Sequence, residues 1–352
     1  MRLNLYLLLF LLLTCFLAAC AAPPAAPKDA IAAPGNEQPV LSSPTAQPVE
    51  ETPGSETSTE AATQTDNPEP AQGQPTDIEP PSAESVPTTL PEPTAISTTT
   101  PRPSPAPDEW QSMPVVPQIS EHALQIYRRG LELGNDPRRF SKVGDCQNVS
   151  SYFLSPFDFA SAYRLGEYGA LQETIDWYKG SFSRDSLAVK GGFNVAAVLS
   201  PLRADSKQCD DGESPVECEL RLHNPSVVIV SMETWWSGNP GNYEKYMRQL
   251  LDYLISEGVV PILATKADNL EGGHQINKTL AQLAWEYDIP LWNFWASLQD
   301  LPNHGLTEDG FHLTLGNYFY DDSVSTSTGW SRRNLTALQA LDAFRRAIVT
   351  IP

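Results

Sequence analysis

Three residues of the chain have the types that acyl transfer needs: Cys146 in "KVGDCQN", and Asp309 and His312 in "LTEDGFHLT". The last two stand three apart in a loop with a glycine between them. At that spacing a carboxylate can orient an imidazole through one ring nitrogen. The other nitrogen is left to take a proton from a nucleophile. A thiol suits that role, because a thiolate beside a histidine attacks acyl carbon readily. Asp-x-x-His alone is commonly structural, so the weight falls on whether the fold brings Cys146 to it.

The elements around these residues are legible from their periodicity. "SEHALQIYRRGLELG" reads as a helix with Ser120 as N-cap and Gly134 as its stop. "FSKVGD" follows as a strand ending near Val143, with Cys146 in the turn beyond it. "SVVIVSM", residues 226–232, is a continuous β-branched run that suits a strand buried on both faces. "NYEKYMRQLLDYLISEG" repeats its apolar residues at three and four positions and closes on Gly258. "VVPILAT" and "IPLWNFW" read as further strands, with the helix "INKTLAQLAWEYD" between them. "NLTALQALDAFRRAIV" is a last helix. Alternating strands and helices imply a parallel sheet covered on both faces by helices, linked by right-handed crossovers. Ligands of such sheets bind beyond the carboxyl ends of the strands. Cys146 and the segment "SMETWWSG" both fall on that edge.

The turn "VGDC" after the first strand and the late "DGFHLT" together resemble the SGNH/GDSL hydrolase family, over most of residues 138–350. The resemblance implies a flavodoxin-like three-layer α/β/α sandwich with a parallel sheet. It also implies ester hydrolysis without a cofactor or metal. Gly144 and Asp145 match the family's Gly-Asp-Ser, with Cys146 at the serine position, and Asp309 and His312 match its acid and base. The family's oxyanion hole uses the nucleophile's own N–H, a glycine N–H and an asparagine side chain. Gly191 or Gly192 of "VKGGFN" fits the glycine. In the third block, "SMETWW" has no asparagine, and Thr234 or Trp235 stands in its place. A missing donor of this kind costs about 3 kcal/mol of transition-state stabilisation. Two readings follow: a Cys-His-Asp esterase acting on acyl or acetyl esters, among them carbohydrate esters, or a module that keeps the cleft and binds glycan without turnover.

The rest of the 352 residues constrains where this chemistry would happen. Residues 1–20 carry Arg2, an apolar segment and "LAAC", the order of a secretory signal. The Leu-Ala-Ala-Cys ending resembles a bacterial lipobox, which implies lipidation of Cys20 and anchoring at the outer face of the cell membrane. Residues 21–110 are rich in Pro, Thr, Ser, Ala and Glu, too poor in apolar side chains to order themselves, and read as an extended tether. More than half of the formal charge of −20 lies in that stretch. Residues 111–352 are then the SGNH-hydrolase-like domain, long enough for one full core. There is no basic run to suggest a nucleic-acid partner.

Beyond Cys15 and Cys20, three cysteines remain. Cys209 and Cys218 are nine positions apart in a polar segment with Gly and Pro, and are the natural disulfide pair. A bond from Cys146 to either of them is the alternative. His223, His274 and His304 show no metal-ligand spacing. Trp292 and Trp295 fit core packing. Trp235 and Trp236, on a loop past a strand end, fit ligand contact as well.

Overall fold

The computed structural model of the chain describes residues 106–232 and 240–350. The expected signal at 1–20 with Cys20, nearly all of the expected tether, and Thr234, Trp235 and Trp236 lie outside these residues. No helix among the described residues is long and apolar enough to cross a membrane.

Four strands form the sheet in the order β1 (Asp136–Gly144), β2 (Pro225–Ser231), β3 (Val260–Ala264) and β4 (Leu291–Trp292), every pair parallel. All seven residues of β2 and all five of β3 are buried. Successive side chains point to opposite faces, so helices cover both sides of the sheet, the α/β architecture expected. In chain order the helices are α1 (Glu121–Leu133), α2 (Gln172–Trp177), α3 (Val195–Val198), α4 (Pro215–His223), α5 (Pro240–Ser256), α6 (Gln275–Glu286) and α7 (Gly329–Val349). The ends of α1 fall where the sequence puts them. Ser120 Oγ accepts from Ala123 N at 3.1 Å, and Gly134 takes the left-handed conformation, φ 95°.

Three features depart from the periodicity. "IPLWNFW" supplies only the two residues of β4. Asn293 turns the chain out of the sheet: its N–H donates to Val115 O (3.1 Å) and its amide to Trp110 O (2.6 Å) and Met113 O (3.1 Å). "CDDGESPVEC" reads as a polar loop, but it enters a helix at Pro215. Ser214 and Glu217 exchange bonds in a capping box, and Pro215 opens α4. Finally, Val189 forms an isolated parallel bridge with Gly144. Gly144 N donates to Ala188 O and Lys190 N to Gly144 O, so this segment lines the edge of β1 away from β2.

The last helix begins on a close crossing. Gly305 has φ 71°, and a Cβ on Gly329 would lie 2.3 Å from Gly305 O. The first N–H groups of a helix lack intrahelical partners. Here Thr314 supplies both acceptors, its Oγ1 to Gly329 N (2.8 Å) and its carbonyl to Trp330 N (3.1 Å). The segment carrying His312 is thereby fixed to the start of α7. Gly329→Ala should destabilise the domain by about 1–3 kcal/mol through overpacking, lowering the thermal midpoint by several degrees. A melt superimposable on the parent's would mean the crossing has slack.

Candidate active site

β1 stops at Gly144, and the chain enters the single turn Cys146–Asn148. Asp145, fully buried, caps it by accepting from Gln147 N at 3.1 Å. Asn148 N donates back to Asp145 O at 3.0 Å, and the Asn148 amide reaches Ser231 O at 2.7 Å, at the end of β2. Gly144 makes room for it: a Cβ there would sit 2.0 Å from Asn148 Nδ2. Cys146 is half-buried at the head of this turn. Cys209 and Cys218 are joined to each other, with their Cα atoms 5.2 Å apart, and Cys146 remains a thiol.

The second half is a small hairpin. Leu306 pairs antiparallel with Leu313, and Thr307 N donates to His312 O at 2.7 Å. Asp309 sits at its turn and uses both carboxylate oxygens. Oδ1 accepts from Thr307 Oγ1 (2.7 Å), Phe311 N (2.9 Å) and His312 N (2.9 Å). Oδ2 lies 2.6 Å from His312 Nδ1. Facing a carboxylate, Nδ1 must be the ring's donor. In the neutral imidazole Nε2 is then the proton acceptor. The pair is open to solvent, with the His312 and Asp309 side chains 64% and 50% exposed.

The two halves meet. Gln147 Nε2 donates to Phe311 O at 3.3 Å, joining the residue after the thiol to the residue before the histidine. The Val189 bridge brings the glycine turn to the same place, and a Cβ on Gly191 would lie 3.9 Å from Cys146 Cβ. Gly192 takes φ 81°, and a Cβ there would touch nothing within 4 Å, so Gly191 is the glycine beside the thiol. Trp292 is buried, and Trp295 packs edge-on against Trp110 at 4.9 Å. Among the described residues, the one grouping with metal-ligand proximity is Cys209, Glu213 and Cys218, whose two sulfurs are bonded to each other.

Gln147, Asn148 and Thr314 were not singled out from the sequence. They hold the site through contacts between segments far apart in the chain, and no local spacing marks them.

No protein-family model matches the chain, and no curated protein matches it. Among solved structures it is similar to the psychrotrophic esterase EstA from Pseudoalteromonas sp., in a structure inhibited by monoethylphosphonate. That match has 12% identity and a TM-score of 0.37, over 60% of this chain and all of that one. The acetyl xylan esterase AlAXEase is also similar, at 14% identity and a TM-score of 0.33, with the same coverage. Both similarities are distant, and neither assigns a reaction to this chain.

The Asp309 carboxyl is held far below the usual carboxylate range, first by the His312 hydrogen bond, then by the Thr307 hydroxyl and the two backbone N–H groups. A lowered carboxyl stabilises the folded hairpin above the ordinary value, about 3.9, and that contribution fades as pH falls through the lowered one. In a carbon-detected NMR titration, Asp309 should therefore stay flat from pH 6 down to pH 3. An inflection near the ordinary aspartate value would show that the hydrogen bonds are not formed in solution.

Proposed function

We propose that this chain is an ester hydrolase with a Cys146-His312-Asp309 triad. The observation that supports it most is the Nδ1–Oδ2 pair of His312 and Asp309, tied through Gln147 and Phe311 to the turn that carries Cys146. His312 Nε2 takes the thiol proton as sulfur attacks the acyl carbon. The carbonyl electrons move onto oxygen, where the resembling family's pattern assigns the N–H groups of Cys146 and Gly191 as donors. The intermediate collapses, the carbon–oxygen bond to the alcohol breaks, and His312 gives the leaving alkoxide its proton. Water then attacks the thioester, losing a proton to His312. The carboxylic acid departs, and the proton returns to sulfur. Asp309 keeps the ring in the required tautomer throughout.

The substrates that fit this reading are acyl or acetyl esters, including those on carbohydrate. They would be met outside the cell if Cys20 carries a lipid anchor and residues 21–110 act as a tether. A glycan-binding module without turnover is the second reading. It is favoured by one feature of the sequence: "SMETWW" offers no asparagine where the resembling family has its third donor.

With the full chain and p-nitrophenyl acetate, His312→Ala should lose about 10²–10⁴-fold in turnover, the usual worth of a positioned general base. Cys146→Ala should fall to background, and iodoacetamide should label Cys146 and stop the parent enzyme. A parent with no turnover and an inert Cys146 would leave the binding reading. Separately, radiolabelled fatty acid should enter the parent chain in bacterial cells and not Cys20→Ser. Equal labelling of both would remove the anchor.

A further inference from the structure

The start of α7 contains two adjacent residues, Arg333 and Asn334, with no accessible surface, on the face that packs into the domain. An arginine is almost never fully buried without a specific reason. The Arg333 guanidinium carbon lies 4.8 Å from the ring centres of Phe153 and Phe294, 5.6 Å from Trp292 and 5.9 Å from Trp330. Within that aromatic enclosure its Nη2 donates to Ser231 Oγ at 2.8 Å and to Asn148 Oδ1 at 3.4 Å. Asn148 closes the third side through its 2.7 Å bond to Ser231 O. Arg333 therefore grips the end of β2 and the turn that starts at Cys146.

Asn334 grips the chain that follows. Its Oδ1 accepts from Leu154 N, and its Nδ2 donates to Tyr152 O at 3.0 Å. Leu154 holds a left-handed backbone, φ 68°, which a branched side chain adopts only where its surroundings impose it. One turn earlier, Gly329 and Trp330 bind Thr314, two residues past His312. The first two turns of α7 thus hold the thiol-bearing segment on one side and the histidine-bearing hairpin on the other.

We propose that Arg333 is a positioning residue that sets the register of Cys146 against His312. It touches neither reacting atom. It fixes Asn148, and with it the turn at whose head the thiol sits. Lysine cannot reproduce this, because it lacks the planar guanidinium that stacks on the surrounding rings while its Nη2 donates to both acceptors. The proposal deepens the hydrolase reading and rests on it for its catalytic meaning, whereas the grip itself is testable without it.

The test uses the full chain with Arg333→Lys and, because that variant faces a demanding enclosure, the smaller change Ser231→Ala. Two measurements are made on protein whose circular dichroism matches the parent. The first is amide hydrogen exchange of residues 145–154. The second is the pH dependence of iodoacetamide labelling at Cys146. Arg333→Lys should speed exchange in 145–154 at least tenfold relative to β3. It should also slow labelling at neutral pH about tenfold and change its pH profile from the parent's. Ser231→Ala should do the same by two- to fivefold. Exchange and labelling both unchanged in either folded variant would overturn the proposal. So would faster exchange with an unchanged labelling profile on a reactive parent thiol, since that is a structural role alone. Faster exchange beside an inert parent thiol would instead retire the hydrolase reading and leave the grip. If Arg333→Lys does not fold, Ser231→Ala alone decides.

Discussion

The carbonyl of Ser231 is where the site begins. It is the last of a strand with no access to water, and its neighbour β1 has reached Gly144, the end of their shared register. Left without a partner, a buried carbonyl costs on the order of 1–3 kcal/mol. The chain answers with the Asn148 side chain, folded back beneath the turn to donate at 2.7 Å. That solution dictates the local sequence. Position 144 must lack a Cβ, because one would overlap the Asn148 amide. Asp145 must be buried to cap the turn. Cys146 is then held at the head of the turn, beside the glycine loop and over the end of the sheet. A thiol in that position is a consequence of satisfying a strand end.

Parallel pairing extends this constraint across the sheet. Strands that all run one way end on one edge, so the segments leaving them converge there whatever their separation in the chain. The bridge of Val189 to Gly144 adds a further parallel contact on the outer side of β1 and delivers Gly191 to the thiol. The hairpin of His312 arrives from the other direction, fixed by Thr314 to the start of α7. Three loops from three parts of the chain meet because the sheet leaves their backbone groups no better place to be satisfied.

This division explains what the sequence revealed. Ser120 and Gly134 mark the ends of α1, and the β-branched run of β2 marks a strand covered on both faces. Caps and apolar runs act within a few residues, so they are visible in a string of letters. The Asp309–His312 pairing is legible for the same reason, since both partners lie in one hairpin. Contacts made over long separations are not. Asn293 ends β4 by bonding to residues 110, 113 and 115. Nothing in the sequence marks Lys142, yet its ammonium is buried against Phe182 O, and burial lowers its pKa to about 8. Arg333 lies just before the helix read from the sequence, which began at Asn334, and the burial of both comes from α7 starting at Gly329.

The exposed pair and the buried framework also differ in what they can enforce. A hydrogen bond between side chains half or more open to water competes with solvent and contributes little rigidity of its own. The 2.6 Å contact of Asp309 with His312 cannot by itself hold an imidazole to a distant thiol. Asp309 gains constraint from the Thr307 hydroxyl and two backbone N–H groups, which fix the carboxylate before it meets the ring. The hairpin gains it from Thr314, and the thiol turn from Asn148. Each half is thus aimed by a less exposed residue a few positions away, half-buried Thr314 for the hairpin and fully buried Asn148 for the thiol turn. Buried polar groups without partners are costly, which gives those contacts the stiffness the surface lacks. An exposed imidazole and a fixed geometry are compatible because the bonds from Thr314 and Asn148 that set the geometry lie beneath the exposed pair.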